Sequence, residues 1–344
     1  MSVLDDIVSQ PAAWTEALGT VRQHAPAIAR LSEGRFADIV YTGCGSTFFL
    51  TVAAATLHQR LTDEPARAVP AGEIMLEPGQ LAAETLMFAI SRSGRTTETV
   101  RAVDVHAGLE SGKLVTITCR PGSLLASHSD IEITLPKAYE SNVAQTRSFA
   151  SMWMATTAMI AAYAGQAEII NDLDSMPAAC SALIKRFRPV MRELGTSLEI
   201  DRIYVLGSGV RYGLACEGAL LLKEVALTHA EAFHFLEFRH GPTAMVTPQT
   251  LIVGLLNSRT DQLEIDVVRD ALRIGARTLL LGDDPVDLPG ALTVDFGVGS
   301  HPLASTGLYL PVLQLLAFER AVAKGLDPQH PPNLSAVIDL DPHT

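Results

Sequence analysis

The chain has 344 residues, 48% of them hydrophobic, which gives room for two ordinary domains with sizeable cores and excludes an intrinsically disordered protein. A formal net charge of -12 argues against nucleic acid as a partner, because a phosphate backbone needs clustered lysine and arginine; it leaves open a small anion held by backbone N–H groups. Cys44, Cys119, Cys180 and Cys216 form no Cys-x-x-Cys pair, the stretch Met1 to Arg30 is no basic, apolar leader, and no apolar run is long enough to span a bilayer, so a cytoplasmic protein with reduced thiols, no metal, no cofactor and no membrane contact is expected.

In chain order, residues 1–29 read as an amphipathic helical arm. A first module follows over residues 30–165. It opens on an apolar strand that runs into Gly43-Cys44-Gly45-Ser46-Thr47-Phe48 and a helix. A dinucleotide site needs a small residue where Phe48 stands and an acidic residue about 20 positions further on; neither is present. Taken alone, the stretch fits a tight strand–helix turn with no ligand. A second strand, Leu86 to Ile90, ends in Ser91-Arg92-Ser93-Gly94-Arg95-Thr96-Thr97, with a helix from Glu98. This hydroxyl-rich loop can offer N–H groups, side-chain hydroxyls and the positive end of a helix dipole to one anion. Leu114 to Thr118 is a third strand. The polar stretch Glu140 to Phe149 precedes an apolar helix. Either Thr146 or Ser148 caps that helix, or Gln145 and Thr146 face a ligand.

A helical connector broken by Pro177 and Pro189 spans residues 166–196, and a second module spans 197–325. Ile203 to Gly209 matches Ile39 to Gly45 at an offset of 164, and Thr250 to Gly254 and Thr278 to Gly282 match Leu86 to Ile90 and Leu114 to Thr118 at the same offset. Three matches at one offset point to a duplication. Continuous apolar strands alternating with helices imply an α/β fold of two doubly wound parallel sheets sandwiched by helices, with ligands beyond the C-terminal strand ends. The offset also sets Leu255, Asn257 and Ser258 against Ser91, Ser93 and Gly94, so only the first module is expected to bind phosphate.

The second module brings the stretch Cys216 to Phe233, whose early part reads as a buried helix. Glu217 and Glu224 are seven residues apart and share a face, with Leu221 between them. A carboxylate among Ala, Leu and Val has its pKa raised by desolvation, which suits a proton shuttle. The competing reading, which spacing alone favours, pairs Glu224 with Lys223 or another base at the surface. His240, followed by Gly241-Pro242, sits on a loop, where functional residues concentrate, and histidine is a residue type suited to moving protons. Residues 326–344 form a tail rich in proline and histidine, without helical periodicity.

Together, Cys44 to Thr47, Ser91 to Thr96, Val143 to Phe149 and Glu217 to Pro242 resemble the double sugar-isomerase (SIS) family of phosphosugar isomerases. The likeness is to the isomerase domain of glutamine:fructose-6-phosphate amidotransferases, and more closely to the stand-alone hexosamine-phosphate isomerases and deaminases. It runs over nearly the whole chain; Glu-Gly-Ala-x-x-x-Lys-Glu, then His-Ala-Glu-Ala, then His-Gly-Pro is its most specific part. The resemblance implies that Ser46, Thr47, Ser91, Arg92, Ser93 and Thr96 bind a sugar phosphate, with Cys44, Gly45, Val143, Gln145 and Thr146 around the sugar. It implies that Glu224 moves a proton between C1 and C2 and that Glu217 lines the site. His240 would assist ring opening from the neighbouring subunit of a homodimer, and the tail would lie over the site. The implied reaction is glucosamine 6-phosphate to fructose 6-phosphate and ammonia. Aldose–ketose isomerisation without deamination and a phosphosugar-binding regulatory protein are the alternatives. Three departures stand out. Ser2 follows Met1 and the first strand starts near Asp38, which leaves no room for a glutaminase domain, and Leu221 and Ala336 occupy positions where the family usually carries lysines.

Overall fold

The computed structural model describes residues 2–109 and 111–340; the expected arm and tail therefore extend past the described residues at Met1 and at residues 341–344. The elements run α1 (Val3–Leu31), β1 (Asp38–Gly43), α2 (Ser46–Thr62), β2 (Arg67–Pro70), α3 (Ala71–Leu76), β3 (Glu84–Ser91), α4 (Thr97–Ala107), β4 (Ser111–Thr118), β5 (Ile131–Thr134) and α5 (Arg147–Tyr163). They continue with α6 (Ala167–Leu173), α7 (Met176–Thr196), β6 (Arg202–Leu206), α8 (Val210–Ala226), β7 (His229–Phe233), α9 (Phe235–Phe238), β8 (Thr250–Leu255), α10 (Gln262–Ile274), β9 (Arg277–Gly282), β10 (Leu292–Asp295) and α11 (Tyr309–Ala323).

Two five-stranded sheets result, in the orders β2-β1-β3-β4-β5 and β10-β9-β8-β6-β7, and every pairing is parallel. The second order is the first one repeated. The central strands β1, β3, β6 and β8 are buried along nearly their whole length, as their continuous apolar runs require when helices cover both sheet faces. The ladders also refine the repeat. Ile39 pairs with Leu86, whereas Ile203 pairs with Leu251, so β3 and β8 correspond one residue further apart than the flanking strands. In that register Ser93 corresponds to Ser258, and Leu256 stands opposite Ser91.

The helical arm is built into the core. A reciprocal capping box starts α1: the Asp5 N–H donates to Ser2 Oγ at 3.1 Å and the Ser2 N–H donates to the Asp5 carboxylate at 2.9 Å. Its buried face, which includes Ile7, Trp14 and Ile28, packs on α5 and α7. One continuous apolar core holds residues of both modules.

The modules meet where α2 crosses α8. A Cβ on Gly213 would lie 2.6 Å from both the Phe49 carbonyl oxygen and the Ala53 nitrogen, so glycine is what lets the two backbones touch. This crossing brings the face of α8 that carries Glu217 and Glu224 against the start of α2. The last turn of α8 is braced from α11: Lys324 Nζ donates to the Ala226 and Leu227 carbonyls at 2.8 Å, and Arg320 Nε donates to Thr228 Oγ1 at 2.8 Å. Cations at a helix C-terminus answer its unpaired carbonyls.

Candidate active site

In the first sheet β1 and β3 are neighbours from which the chain departs in opposite directions, and a crevice at such a switch point is where doubly wound sheets bind ligands. The loops after these two strands flank a cavity of about 200 Å³. Cys44, Gly45 and Ser46 line it from the first loop, Arg92 and Thr96 from the second, and Val143 and Gln145 from the loop before α5; Glu224 enters from α8. The tail from Leu334 to Ile338 closes it. Neither Gly45 nor Thr96 caps its helix with a side chain. The α2 helix starts with no acid in its first turn, the usual setting for an anion, whereas α4 carries Glu98 there and its Thr97 N–H faces the Ile338 carbonyl at 3.5 Å.

The serine loop is fixed from within. The Gly94 N–H donates to Ser91 Oγ at 3.1 Å, the Arg95 N–H to Ser93 Oγ at 3.2 Å, and Ser93 Oγ lies 3.5 Å from Thr96 Oγ1. Gly94 has a positive φ of 61°, and a Cβ there would lie 2.4 Å from Ser123; conformation and space both demand glycine. Thr47 Oγ1 donates to the Cys44 carbonyl at 2.9 Å and accepts from the Cys44 N–H at 3.0 Å, so this hydroxyl shapes the first loop. Cys44 Sγ lies 3.4 Å from Thr99 Oγ1, and burial pushes the thiol above its ordinary pKa.

Arg92 is 5% exposed and has a second task. Its guanidinium donates to the carbonyls of Asn142 (2.7 Å), Val143 (3.1 Å) and Ala336 (2.6 Å), so one side chain ties the serine loop to the loop before α5 and to the tail. All three acceptors are neutral, and the charge stays available to the cavity.

Glu224 is half-buried at the cavity. Desolvation raises its pKa to about 7, opposed by the positive charge of Arg92. Lys223 points outward and is exposed, and among the described residues no ion pair joins it to Glu224; the surface-pair reading of Glu224 does not hold. Glu217 lies about two helical turns before it on α8 and is 3% exposed. Burial drives its pKa well up, the Glu224 carboxylate adds to the rise, and the Ser46 hydroxyl beside it opposes. Its Oε2 has no hydrogen-bond partner. Burial thus favours the neutral form of Glu217, next to a Glu224 carboxyl poised near neutrality, and environments that push two carboxyl groups apart are what acid–base chemistry uses.

Thr47, Ser91 and Glu217 do not line this cavity, Ser93 lines a neighbouring cleft, and two further expected residues, His240 and Thr146, are also absent from its wall. His240 is exposed on the turn after α9 and is absent from the cavity wall. Thr146 is 1% exposed and turned inward. It does not cap α5 with its own side chain. Instead Glu140, a residue without an assigned role until now, serves the helix start: its carboxylate accepts from the N–H groups of Thr146 (2.8 Å), Arg147 (3.1 Å) and Ser148 (3.0 Å), from Thr146 Oγ1 (2.7 Å) and from Ser148 Oγ. Behind it Asp6 accepts from Asn142 Nδ2 and pairs with Arg147 at 3.0 Å. Burial, with Glu140 nearby, raises the Asp6 pKa to about 6, against the pull of Arg147 and Asn142.

A family model described as the SIS domain matches residues 37–162 and again residues 198–286, more than half of the chain. The chain belongs to the SIS domain family. It is 28% identical over 357 residues to the glutamine–fructose-6-phosphate aminotransferase (isomerizing) of Aeropyrum pernix, a match covering 98% of this chain and 57% of the relative. The corresponding Pyrococcus horikoshii protein is also 28% identical, over 98% of this chain and 58% of the relative; the chain spans a little over half the length of these relatives. Among solved structures, glucosamine-6-phosphate deaminase of Thermotoga maritima superposes with a TM-score of 0.78 at 25% identity, covering 98% of this chain and 99% of that one. Tagatose-6-phosphate ketose/aldose isomerase of Escherichia coli gives 0.84 at 22%, covering 96% of each chain, a likeness of fold.

The two SIS domains are not equivalent as sites. In the second, Arg211 stands where the first has Thr47, and its guanidinium fills the switch-point crevice. It donates to the Leu255 carbonyl at 2.8 Å, to Thr260 Oγ1 at 3.2 Å and to both oxygens of Glu264 at 3.0 Å. Asp261 caps α10, accepting from the Leu263 N–H at 2.8 Å. An internal ion pair and a capping carboxylate thus occupy the place where the first SIS domain keeps an open crevice and an uncapped helix. Among the described residues no group of three or more His, Cys, Asp or Glu side chains is placed to hold a metal ion, and no helix is long and apolar enough to cross a membrane.

Proposed function

We propose that this chain is a phosphosugar isomerase that also releases ammonia, converting glucosamine 6-phosphate and water to fructose 6-phosphate and ammonia. The observation that carries the proposal is Glu224. It is a half-buried carboxylate with a pKa of about 7, on the wall of a cavity whose opposite loops end in hydroxyls and two uncapped helix starts. In this reading the phosphate is held by Ser46, Thr47, Ser91, Ser93 and Thr96, with the Arg92 charge beneath it. Gly45, Val143 and Gln145 bound the sugar.

With the sugar in its open form, the Glu224 carboxylate takes the proton from C2, and the electron pair moves toward C1 to give an enolamine. The same group returns a proton to C1, leaving a C2 imine that water hydrolyses to the ketose and ammonia. Neutral Glu217 supplies a hydrogen bond to the developing oxyanion side of the system, directly or through Ser46. We further propose that the protein works as a homodimer in which His240 of each chain serves ring opening at the other chain's cavity, which fits its exposure and its absence from the cavity wall of its own chain.

The likeness to the Thermotoga maritima deaminase supports the deaminating reaction. Leu221 is 2% exposed in the core and the Ala336 carbonyl accepts from Arg92, and among the described residues no lysine lines the cavity wall. That observation favours a second reading, plain aldose–ketose isomerisation. Assaying ammonia and ketose phosphate in parallel from glucosamine 6-phosphate and plain hexose 6-phosphates separates the two. Ketose without ammonia from a plain hexose phosphate alone selects the second reading, and no product from any of them defeats both.

Because the base form of Glu224 is the active one, kcat/KM is expected to rise about tenfold per pH unit below pH 7 and level off above it. A pH–rate profile on the working substrate checks this. A flat profile from pH 5.5 to 7.5 contradicts the role of Glu224.

A further inference from the structure

A second and larger cleft, of about 570 Å³, adjoins the serine loop, and Glu224 does not line it. Ser93 of that loop lines it, with Arg95, Arg101 and Arg120. The Arg95 side chain is exposed, and no ion-pair partner faces it among the described residues. Arg120 is held in place by Tyr139. Its Nη2 donates to the tyrosine hydroxyl at 2.6 Å and its guanidinium lies 4.4 Å over the ring. A hydroxyl that accepts from an arginine keeps its own proton to donate, so Tyr139 adds a donor beside the charge.

Two acids share the cleft: Asp339, like Arg101, has a partner within the protein, and Asp104 is exposed, 3.6 Å from His128 Nε2. Among the described residues no ion pair joins either acid to Arg95 or Arg120, so the two arginines remain open to an anion. Their planar forks match phosphate oxygens, and the volume lies in the range of small-molecule sites.

The cleft also touches the tail. Val337 lines both this cleft and the catalytic cavity. Thr97, at the edge of the cleft, accepts from the Leu340 N–H at 3.1 Å through its hydroxyl, and its N–H approaches the Ile338 carbonyl at 3.5 Å.

We propose that this cleft is a second anion site that takes a phosphomonoester, and that filling it fastens the tail over the catalytic cavity. The proposal does not depend on which reaction the cavity performs. Its test is calorimetric titration of the full chain with fructose 6-phosphate, and in a second arm with inorganic phosphate. The wild type is compared with Arg95→Ala/Arg120→Ala and with the single charge reversal Arg95→Glu. Hydrogen exchange is followed at residues 120–124 and 334–340.

Two binding events per wild-type chain are expected. One is lost in the double variant and weakened at least about tenfold in Arg95→Glu. Protection at 120–124 should appear on ligand addition to the wild type and vanish in the double variant. A second event with both probes assigns recognition to the phosphate, and one with the sugar phosphate alone assigns it to the whole ester; either supports the site. Fewer than two events in the wild type, or two undiminished events in either folded variant, overturns it.

Discussion

Glu224→Gln is expected to lower kcat by about 10³-fold, the scale of a lost general base, while the dissociation constant for a sugar phosphate stays within a few fold. Glutamine keeps the volume and the half-buried packing of the side chain and removes only the group that titrates near pH 7. The anion contacts come from other elements, the loops after β1 and β3, so binding has no reason to fail with it. Glu217 is not placed to substitute, because it is buried behind the cavity wall and burial by itself pushes its pKa up. Single-turnover kinetics with parallel calorimetry reads both quantities. An unchanged kcat removes Glu224 from the mechanism, and a lost affinity with intact kcat makes it a binding group.

The second large effect is expected at Glu140, which touches no part of the cavity wall. Its 3% exposed carboxylate accepts from three backbone N–H groups and two hydroxyls at the start of α5. Glu140→Ala leaves these donors buried without acceptors, which is expected to cost about 3–5 kcal/mol of folding free energy, as for other buried charged networks broken from one side. The loop carrying Val143 and Gln145 then loses its anchor, and Arg92 loses fixed carbonyl partners. KM should rise more than kcat falls. Urea unfolding measures the first effect and steady-state kinetics the second; a variant with wild-type stability shows the network to be dispensable.

The central strands were legible because burial on both faces leaves a continuous apolar run. The missed strands, β2, β5, β7 and β10, are the four sheet edges. They are short and half-covered, and a sequence such as His229-Ala230-Glu231-Ala232-Phe233 carries no such run. The repeat was readable to within one residue. The extra residue before β8 changes no apolar pattern, and only the pairing of Leu251 with Ile203 reveals it. Loop chemistry around the cavity was visible as serine, threonine and glycine after a strand.

Other features of the site were not readable. The Arg92 guanidinium serves carbonyls 50 and 244 positions away, and no local rule predicts that. Glu140 precedes its helix, whereas the familiar capping box has its acid three residues after the cap, so the α5 start read as a threonine or serine cap. The filled crevice of the second SIS domain depends on Arg211 meeting Glu264 across 53 residues, a tertiary pairing with no signal in spacing.

The central claim is that a carboxylate carries a proton between C1 and C2 of a phosphosugar. Its most direct test is to run the conversion of glucosamine 6-phosphate in deuterium oxide and locate the label in the fructose 6-phosphate by NMR. Transfer through Glu224, open to exchange with solvent, predicts product molecules with deuterium at C1. Complete retention of the substrate's C2 hydrogen at C1 in every product molecule would mean hydride transfer and would contradict the account.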